Sequence, residues 1–260
     1  MCMTNIIHFV IHLCIHMPRP STDHRLRKSG KAQLSSSEIY ERVRRMAQTF
    51  TFRPGERVNE IELARELDVS RTPLREVLNQ LLVEGFLRRE ANKGFVCRAL
   101  DPAQIYALYE FRRELEKTIA RLACQRAGDD DIAALEAFTL DSKDVPEDED
   151  SSRLLHLDET FHLRLAGMTQ NAEFMRALEN VNARIHYVRW IDMQSGRRKY
   201  TQGEHLKIVD ALKRRDAETL VSMVDAHISR RMDQIVDTVK RSYAEIYTRT
   251  RNHPTTAGAA

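Results

Sequence analysis

The chain is poor in cysteine, and none of its four (Cys2, Cys14, Cys97 and Cys124) stands in a Cys-x-x-Cys pair. That excludes a zinc ribbon and a disulfide framework and fits a reducing, cytoplasmic setting. A membrane-spanning run is missing too. The apolar stretch 6–17 is interrupted by His8, His12 and His16 and is too short for a bilayer. No basic region precedes it, so it makes a poor secretion signal. Its histidines fall at i, i+4 spacing, which can gather a metal, but residues 1–34 read as a disordered N-terminal extension without a folded role.

Net charge is only +3 over 260 residues, enough chain for two ordinary domains. Its distribution is uneven. Residues 18–100 carry 17 Lys/Arg against 11 Asp/Glu, a net of +6, and residues 101–260 carry 24 against 27, a net of −3. A basic first part on a mildly acidic second part suits a nucleic-acid module joined to another domain.

In the basic part, Ile39, Val43 and Met46 recur at helical spacing, with Ser37 as the expected N-cap. Arg53-Pro54-Gly55-Glu56 marks a turn. Asn59 and Glu62 have capping-box spacing and open a short helix carrying Ile61, Leu63, Ala64 and Leu67. Asp68-Val69-Ser70 is a tight break. A second helix starts at Arg71-Thr72-Pro73, where proline is tolerated because first-turn amides lack an intrahelical acceptor. Its inward face is Leu74, Val77, Leu78 and Leu81, and Gly85 ends it. Two short helices across so brief a turn form a helix-turn-helix. The wheel exposes Thr72, Arg75, Glu76 and Asn79, flanked by Arg71. Arg75 has the fork to pair with guanine and Asn79 the amide to read adenine. Ser70 and Thr72 offer hydroxyls and helix-end amides to phosphate. Strands are expected at 86–89 and 95–98, joined by a turn at 90–94 with Lys93 at its tip: a wing that reaches phosphate or the minor groove. The same pattern also fits a small helical interaction domain with a hairpin.

Residues 57–98 resemble the DNA-binding domain of the GntR family of bacterial regulators. The resemblance runs through Leu63-Ala64, Val69-Ser70-Arg71-Thr72-Pro73, Leu74-Arg75-Glu76-Val77-Leu78, Leu82, Glu84-Gly85-Phe86-Leu87 and Lys93-Gly94. It implies a homodimer on a pseudo-palindromic operator, with Arg71 and Arg75 on bases and Ser70 and Thr72 on the backbone. Lys93 and Gly94 would touch DNA from the wing. The family often has arginine where Lys93 stands, and lysine keeps the charge but loses the fork.

Beyond residue 100 the pattern is helical. Asp101 and Pro102 are an N-cap and a first-turn proline, followed by Ile105, Leu108, Leu115, Ile119 and Leu122. Arg112 sits on that apolar seam, where it must pair, snorkel or face a polar cavity. A helix is expected at about 130–138, then a solvated acidic loop at 141–150 containing Pro146. A further helix at 152–168 has Leu154, Leu157, Phe161, Leu165 and Met168 apolar. Asp158 and His162 lie one turn apart on it, either as a surface ion pair or as two metal ligands. His205 aligns with Ile208, Val209 and Leu212, and His227 with Leu220, Met223 and Val224, so both face inward. A lone inward histidine is ordinarily a hydrogen-bonded core residue. Three of them with a carboxylate, on helices sharing one core, point to a metal site, and that donor set suits zinc, nickel, iron or manganese. His156 and His186 fall outside the pattern, and Tyr187 and Trp190 read as packing residues.

Residues 101–240 resemble the effector-binding (FCD) domain of the FadR-like branch of the same family. The matching stretches are Leu108-Tyr109-Glu110-Phe111-Arg112-Arg113-Glu114-Leu115-Glu116, Asp158-Glu159-Thr160-Phe161-His162, Asn171, Glu204-His205, Ile208, Ala211-Leu212 and Ala226-His227. The resemblance implies an all-helical bundle in which Asp158, His162, His205 and His227 hold a divalent cation. It also implies a small organic acid that completes the metal's coordination, clamped by Arg112, with Asn171 at the same effector site. The acidic loop departs from the family's usual connection.

The expectation is thus a mostly α protein. It has a winged helix-turn-helix at 35–99, a helical effector-binding and dimerisation domain at 100–243, and a flexible tail at 244–260. Functionally it reads as a ligand-responsive regulator of transcription, a repressor. Three rivals share the same residues: a sensor of the metal ion itself, a metal hydrolase with a DNA-binding head, and a protein with a purely structural metal. Neither a further placed general base nor a nucleophile motif supports the hydrolase.

Overall fold

The computed structural model describes residues 34–249, apart from 147–148, 195–197 and 233. The 6–17 segment and its histidines lie outside the described residues.

Helices α1 (Ser36–Gln48), α2 (Glu60–Glu66) and α3 (Arg71–Val83) build the head, with the antiparallel strands β1 (Leu87–Glu90) and β2 (Gly94–Cys97) behind them. The cap of α1 is Ser35, two residues before the expected Ser37. Ser35 and Glu38 form the reciprocal capping box, which satisfies both the N3 amide and the cap amide. Asn59 caps α2 by accepting from the amides of Ile61 and Glu62. The tight break before α3 works because Asp68 takes a left-handed backbone at φ 55°, and Gly85 at φ 81° reverses the chain into the wing. The wing pairs Leu87 with Cys97 and Glu90 with Gly94, close to the expected strands, and its turn places Asn92 and Gly94 at positive φ. Leu74, Val77, Leu78 and Leu81 on α3 are buried against Ile39 and Val43 of α1 and Phe86.

The second part is all-helical: α4 (Pro102–Arg126), α5 (Asp129–Lys143), α6 (Ser151–Gly167), α7 (Ala172–Met193), α8 (Arg198–Lys213), α9 (Ala217–Met232) and α10 (Ile235–Arg249). Asp101 caps α4 through the Ala103 amide, as its position predicts. Three boundaries differ from expectation. Helix α5 runs on to Lys143 because Thr139 and Ser142 face inward, and Asp150 is drawn out of the acidic stretch to cap α6. At the other end α10 continues to Arg249 with Ile246 buried, so the packed chain extends past the expected tail boundary at 243. Helix α4 packs along α9, α6 against α7, and α5 against α8, with α10 laid on α7 and α4. Cys97 and Cys124 are free and buried.

The two cores interlock. Phe50, from the head, is part of the core of the helical body, and Ala183 of α7 is part of the core of the head. Leu78 is fully buried at the centre of the head. Leu78→Ala is expected to cost about 2–5 kcal/mol through lost transfer energy and a residual cavity, read from urea unfolding of the full chain. A loss below about 1 kcal/mol would contradict this packing.

Candidate metal centre and nucleic-acid interface

The exposed face of α3 carries the side chains expected to read DNA. Ser70, Arg71, Thr72, Arg75 and Asn79 are all exposed at or near its N-terminal half, and the inward stripe fixes that rotation. Ser70 takes the N-cap position without bonding its own helix, which leaves its hydroxyl and the first-turn amides facing outward. Arg75 lies 3.8 Å from Glu60, a loose surface pair that a stronger acceptor would displace. On the wing, Lys93 is exposed and reaches Glu90 at 2.9 Å, beside Gly94.

In the body, one ligand atom from each of Asp158, His162, His205 and His227 lies within 4.8 Å of the others, and all four residues are buried. Their convergence follows from the inward stripes of α6, α8 and α9. His205 stacks on Phe161 at 3.9 Å between centroids, which fixes its ring plane. Asp158 Oδ1 stands 3.6 Å from His205 Nε2, and Asp158 Oδ2 3.9 Å from His162 Nε2.

Three groups that the sequence reading passed over hold these ligands. Glu116, one turn after Arg112, accepts from His162 Nδ1 at 2.5 Å, and Glu204 accepts from His227 Nδ1 at 2.9 Å. With Nδ1 as the donor, a neutral imidazole turns its Nε2 lone pair inward, the arrangement that prepares a histidine for a metal. Arg189 of α7 donates to Asp158 Oδ2 and, through Nη1, to Glu159 at 3.0 Å and Asn182 at 3.2 Å. Glu116 had a signal in sequence, its i+4 spacing from Arg112. Glu204 was marked only as the neighbour of His205, and Arg189 had no signal, since its partner Asp158 lies on another helix.

The electrostatics agree with this division. Burial opposes ionisation of Glu116, but Arg112 and His162 outweigh it and hold the carboxyl well below the usual range. Asp158 is likewise held well below its ordinary value, against burial, chiefly by Arg189 and His162. Burial pushes the His162 pKa down, partly offset by Glu116, which favours the neutral ring.

Arg112 is buried and donates from Nε to Glu116 at 2.6 Å, while its Nη2 is buried with no hydrogen-bond partner. Of the alternatives for an arginine on an apolar seam, it pairs and also faces a polar cavity. Asn171 is the correction. It is exposed and spends its side chain capping α7 through the Glu173 amide, so it does not join the buried cluster.

The donor set passes a chemical test for a divalent transition ion. Asp158 Oδ1 and His162 Nε2 are buried without a hydrogen-bond partner, a costly state that coordination would relieve. Three imidazoles and one carboxylate suit zinc, nickel, iron or manganese.

A winged helix-turn-helix joined to a helical body with a buried polar centre defines a class, the two-domain regulators of transcription. Residues 35–97 match the bacterial regulatory proteins of the gntR family, and residues 107–230 match the FCD domain. The Nta operon transcriptional regulator of Aminobacter aminovorans is 46% identical over 209 residues, 80% of this chain and 98% of that one. The HTH-type transcriptional repressor RspR of Escherichia coli K12 is 23% identical over 74% of this chain and 85% of its own length. Among solved structures, E. coli McbR/YncC shares the fold with a TM-score of 0.61 at 17% identity, over 83% of this chain and 98% of that one. The chain belongs to the GntR family and carries an FCD domain; it is a DNA-binding regulator of transcription. None of the described helices is long and apolar enough to cross a membrane.

Stability should fall with acid. Asp158, Glu116 and His162 all have lowered pKa values in the folded state, so below about pH 6.5 the unfolded chain binds more protons than the native one. The urea midpoint of metal-free protein is expected to drop from pH 6.5 into the carboxylate range. Glu116→Gln should lower the midpoint at neutral pH and make the acid limb shallower. A midpoint that does not change with pH would contradict the buried charge network.

Proposed function

We propose that this regulator is a repressor that works as a homodimer in the cytoplasm. Its DNA-binding heads read a pseudo-palindromic operator, and its helical body binds a divalent metal and a small organic acid. The observation that carries the acid is Arg112. Its buried, unpartnered Nη2 lines the same small cavity as Asp158 and His227. A guanidinium facing three imidazoles and a carboxylate that would hold a cation makes a site with positive charge to attract a small carboxylate. Asp158, His162, His205 and His227 would hold the ion, and its chemistry is that of a Lewis acid gripping the ligand. The chain's own residues do the rest. Glu116 and Glu204 fix two imidazole tautomers, and Arg112 orients the acid. The repressor sign draws on RspR, named as a repressor.

On DNA, Arg71 and Arg75 contact bases, with Asn79 toward adenine. Ser70 and Thr72 hold phosphate, and Lys93 with Gly94 approaches from the wing. A second reading, a sensor of the ion itself, is favoured by the small size of the cavity beside Arg112, about 10 Å³. It requires metal alone to move operator affinity, with no acid present.

Arg75→Ala is expected to weaken operator binding by about 1–3 kcal/mol and to relax preference at one base pair, measured by titration against single-substituted operators. Lys93→Ala should weaken all sequences alike and reduce the salt slope by about 1. Unchanged affinity and preference in Arg75→Ala would refute the readout.

His205→Ala should lose bound zinc and the thermal stabilisation that zinc gives the wild type. Arg112→Ala should keep zinc and lose calorimetric binding of acetate, malonate and citrate. Wild-type binding of such acids at equal strength in Arg112→Ala would overturn the clamp.

A further inference from the structure

We propose that an acid entering the cluster displaces the last turn of α7 through Arg189, and that α7 carries this movement directly to the DNA-binding head. The inference rests on the acid-binding reading above and adds the element that transmits it.

The first observation is a mismatch of size. The cavity between Arg112, Asp158, His227 and the end of α7 holds about 10 Å³, room for roughly one water and too little for a carboxylate. Something in its wall must yield. Helices α4 and α9, which carry Arg112 and His227, pack along each other and are tied by Arg113, which donates to both oxygens of Asp225 at 2.6 and 2.9 Å. Helix α6 carries the ligand pair Asp158 and His162. The remaining wall is Arg189, Asp192 and Met193, all on the last turns of α7. Met193 is only half-buried and has an adaptable thioether side chain.

The second observation is the bond across that wall. Arg189 grips Asp158 Oδ2, the carboxylate that would also serve the ion, so any change in how Asp158 is used is felt by α7. The same guanidinium is braced on Asn182, two turns back along its own helix, which makes the side chain and the helix move together.

The third observation is at the head. Helix α7 meets the DNA-binding domain at several places. Asn180 donates to the Glu84 carbonyl at 3.4 Å, and Ala183 is buried in the head's core. The Arg184 guanidinium lies against Gly85, where an added Cβ would stand 3.1 Å from it. Tyr187 meets Phe50 edge-on at 5.5 Å. Asn180 to Arg189 is nine residues, about 13.5 Å of continuous helix. One rigid element therefore touches both the acid cavity and the end of the recognition helix α3.

The seam is also weakly committed to its present arrangement. Arg98 lies between Phe50 and Phe86, at 5.2 and 5.3 Å from the ring centres, with all three guanidinium nitrogens buried and without a hydrogen-bond partner. Arg184, also positive and close enough to disfavour its charge, leaves Nε in the same condition. A buried guanidinium held only by two aromatic faces, with a second cation beside it, makes this seam costlier to keep docked than an apolar one.

The test uses full-length, zinc-loaded protein with acetate, malonate and citrate as probes. The chain has one tryptophan, Trp190, next to Arg189 on α7, so its fluorescence reports this helix. In wild type, an acid that binds should shift Trp190 emission and change operator Kd on the order of tenfold. Arg184→Glu would give Arg98 an acid partner and pin the seam. It should bind the same acid within about threefold and keep the Trp190 response, while the operator change falls below about twofold. Arg189→Lys, which keeps the charge but loses the fork, should diminish the Trp190 response and the operator change together. A full operator change in both variants, or one without any Trp190 response in wild type, would overturn the role of α7. No binding of any of the three acids to wild type would instead remove the acid-binding reading, and this inference with it.

Discussion

The structure depends on keeping a set of ionised and polar side chains out of water inside a helical bundle. An isolated buried carboxylate would protonate before it remained charged, and an isolated buried arginine would cost several kcal/mol. Here the two signs are placed against each other. Arg112 faces Glu116, which faces His162, and Arg189 faces Asp158 and Glu159. Arg112 takes a place on the apolar seam of α4, and Glu116, Asp158, His162 and Arg189 are buried with it. That arrangement fixes how α4, α6 and α7 sit around the cluster. It also leaves a few atoms aimed inward with nothing to bind, namely Asp158 Oδ1, His162 Nε2 and Arg112 Nη2. Binding of an ion and an acid, as proposed above, would give these atoms partners.

Much of this was legible in the sequence, for local reasons. The helix-turn-helix is written in short-range signals: a capping asparagine, a tight break, a first-turn proline and an apolar stripe with its exposed complement. Once Leu74, Val77, Leu78 and Leu81 point inward, the exposure of Arg75 and Asn79 follows from the helical period. The buried Asp/His cluster was legible for a related reason. Asp158 and His162 share a face by spacing alone, and His205 and His227 sit on inward stripes that have only one core to enter.

What stayed hidden depends on partners distant in sequence or on small shifts in phase. Arg189 bonds a residue 31 positions earlier, and nothing in the period of α7 marks it as special. Glu204 was visible only as the neighbour of His205. Asn171 was misplaced because a side chain that matches a motif can equally be the cap of the next helix, and capping is the use it has here. Ser35 displaced Ser37 because the capping box requires Glu38 at N3, which fixes the cap three residues earlier. The acidic stretch read as a loop from its charge, yet part of it extends α5 and its last aspartate starts α6.

The most direct test of the central claim is metal K-edge X-ray absorption on protein purified without added metal or chelating resin. The predicted result is about one divalent transition ion per chain with a shell of nitrogen and oxygen at roughly 2.0–2.2 Å, dominated by imidazole scattering. Protein that carries no such ion and fails to take one up on incubation, or an ion in a sulfur-containing or water-only shell, would contradict the placement of a metal between Asp158 and the three histidines.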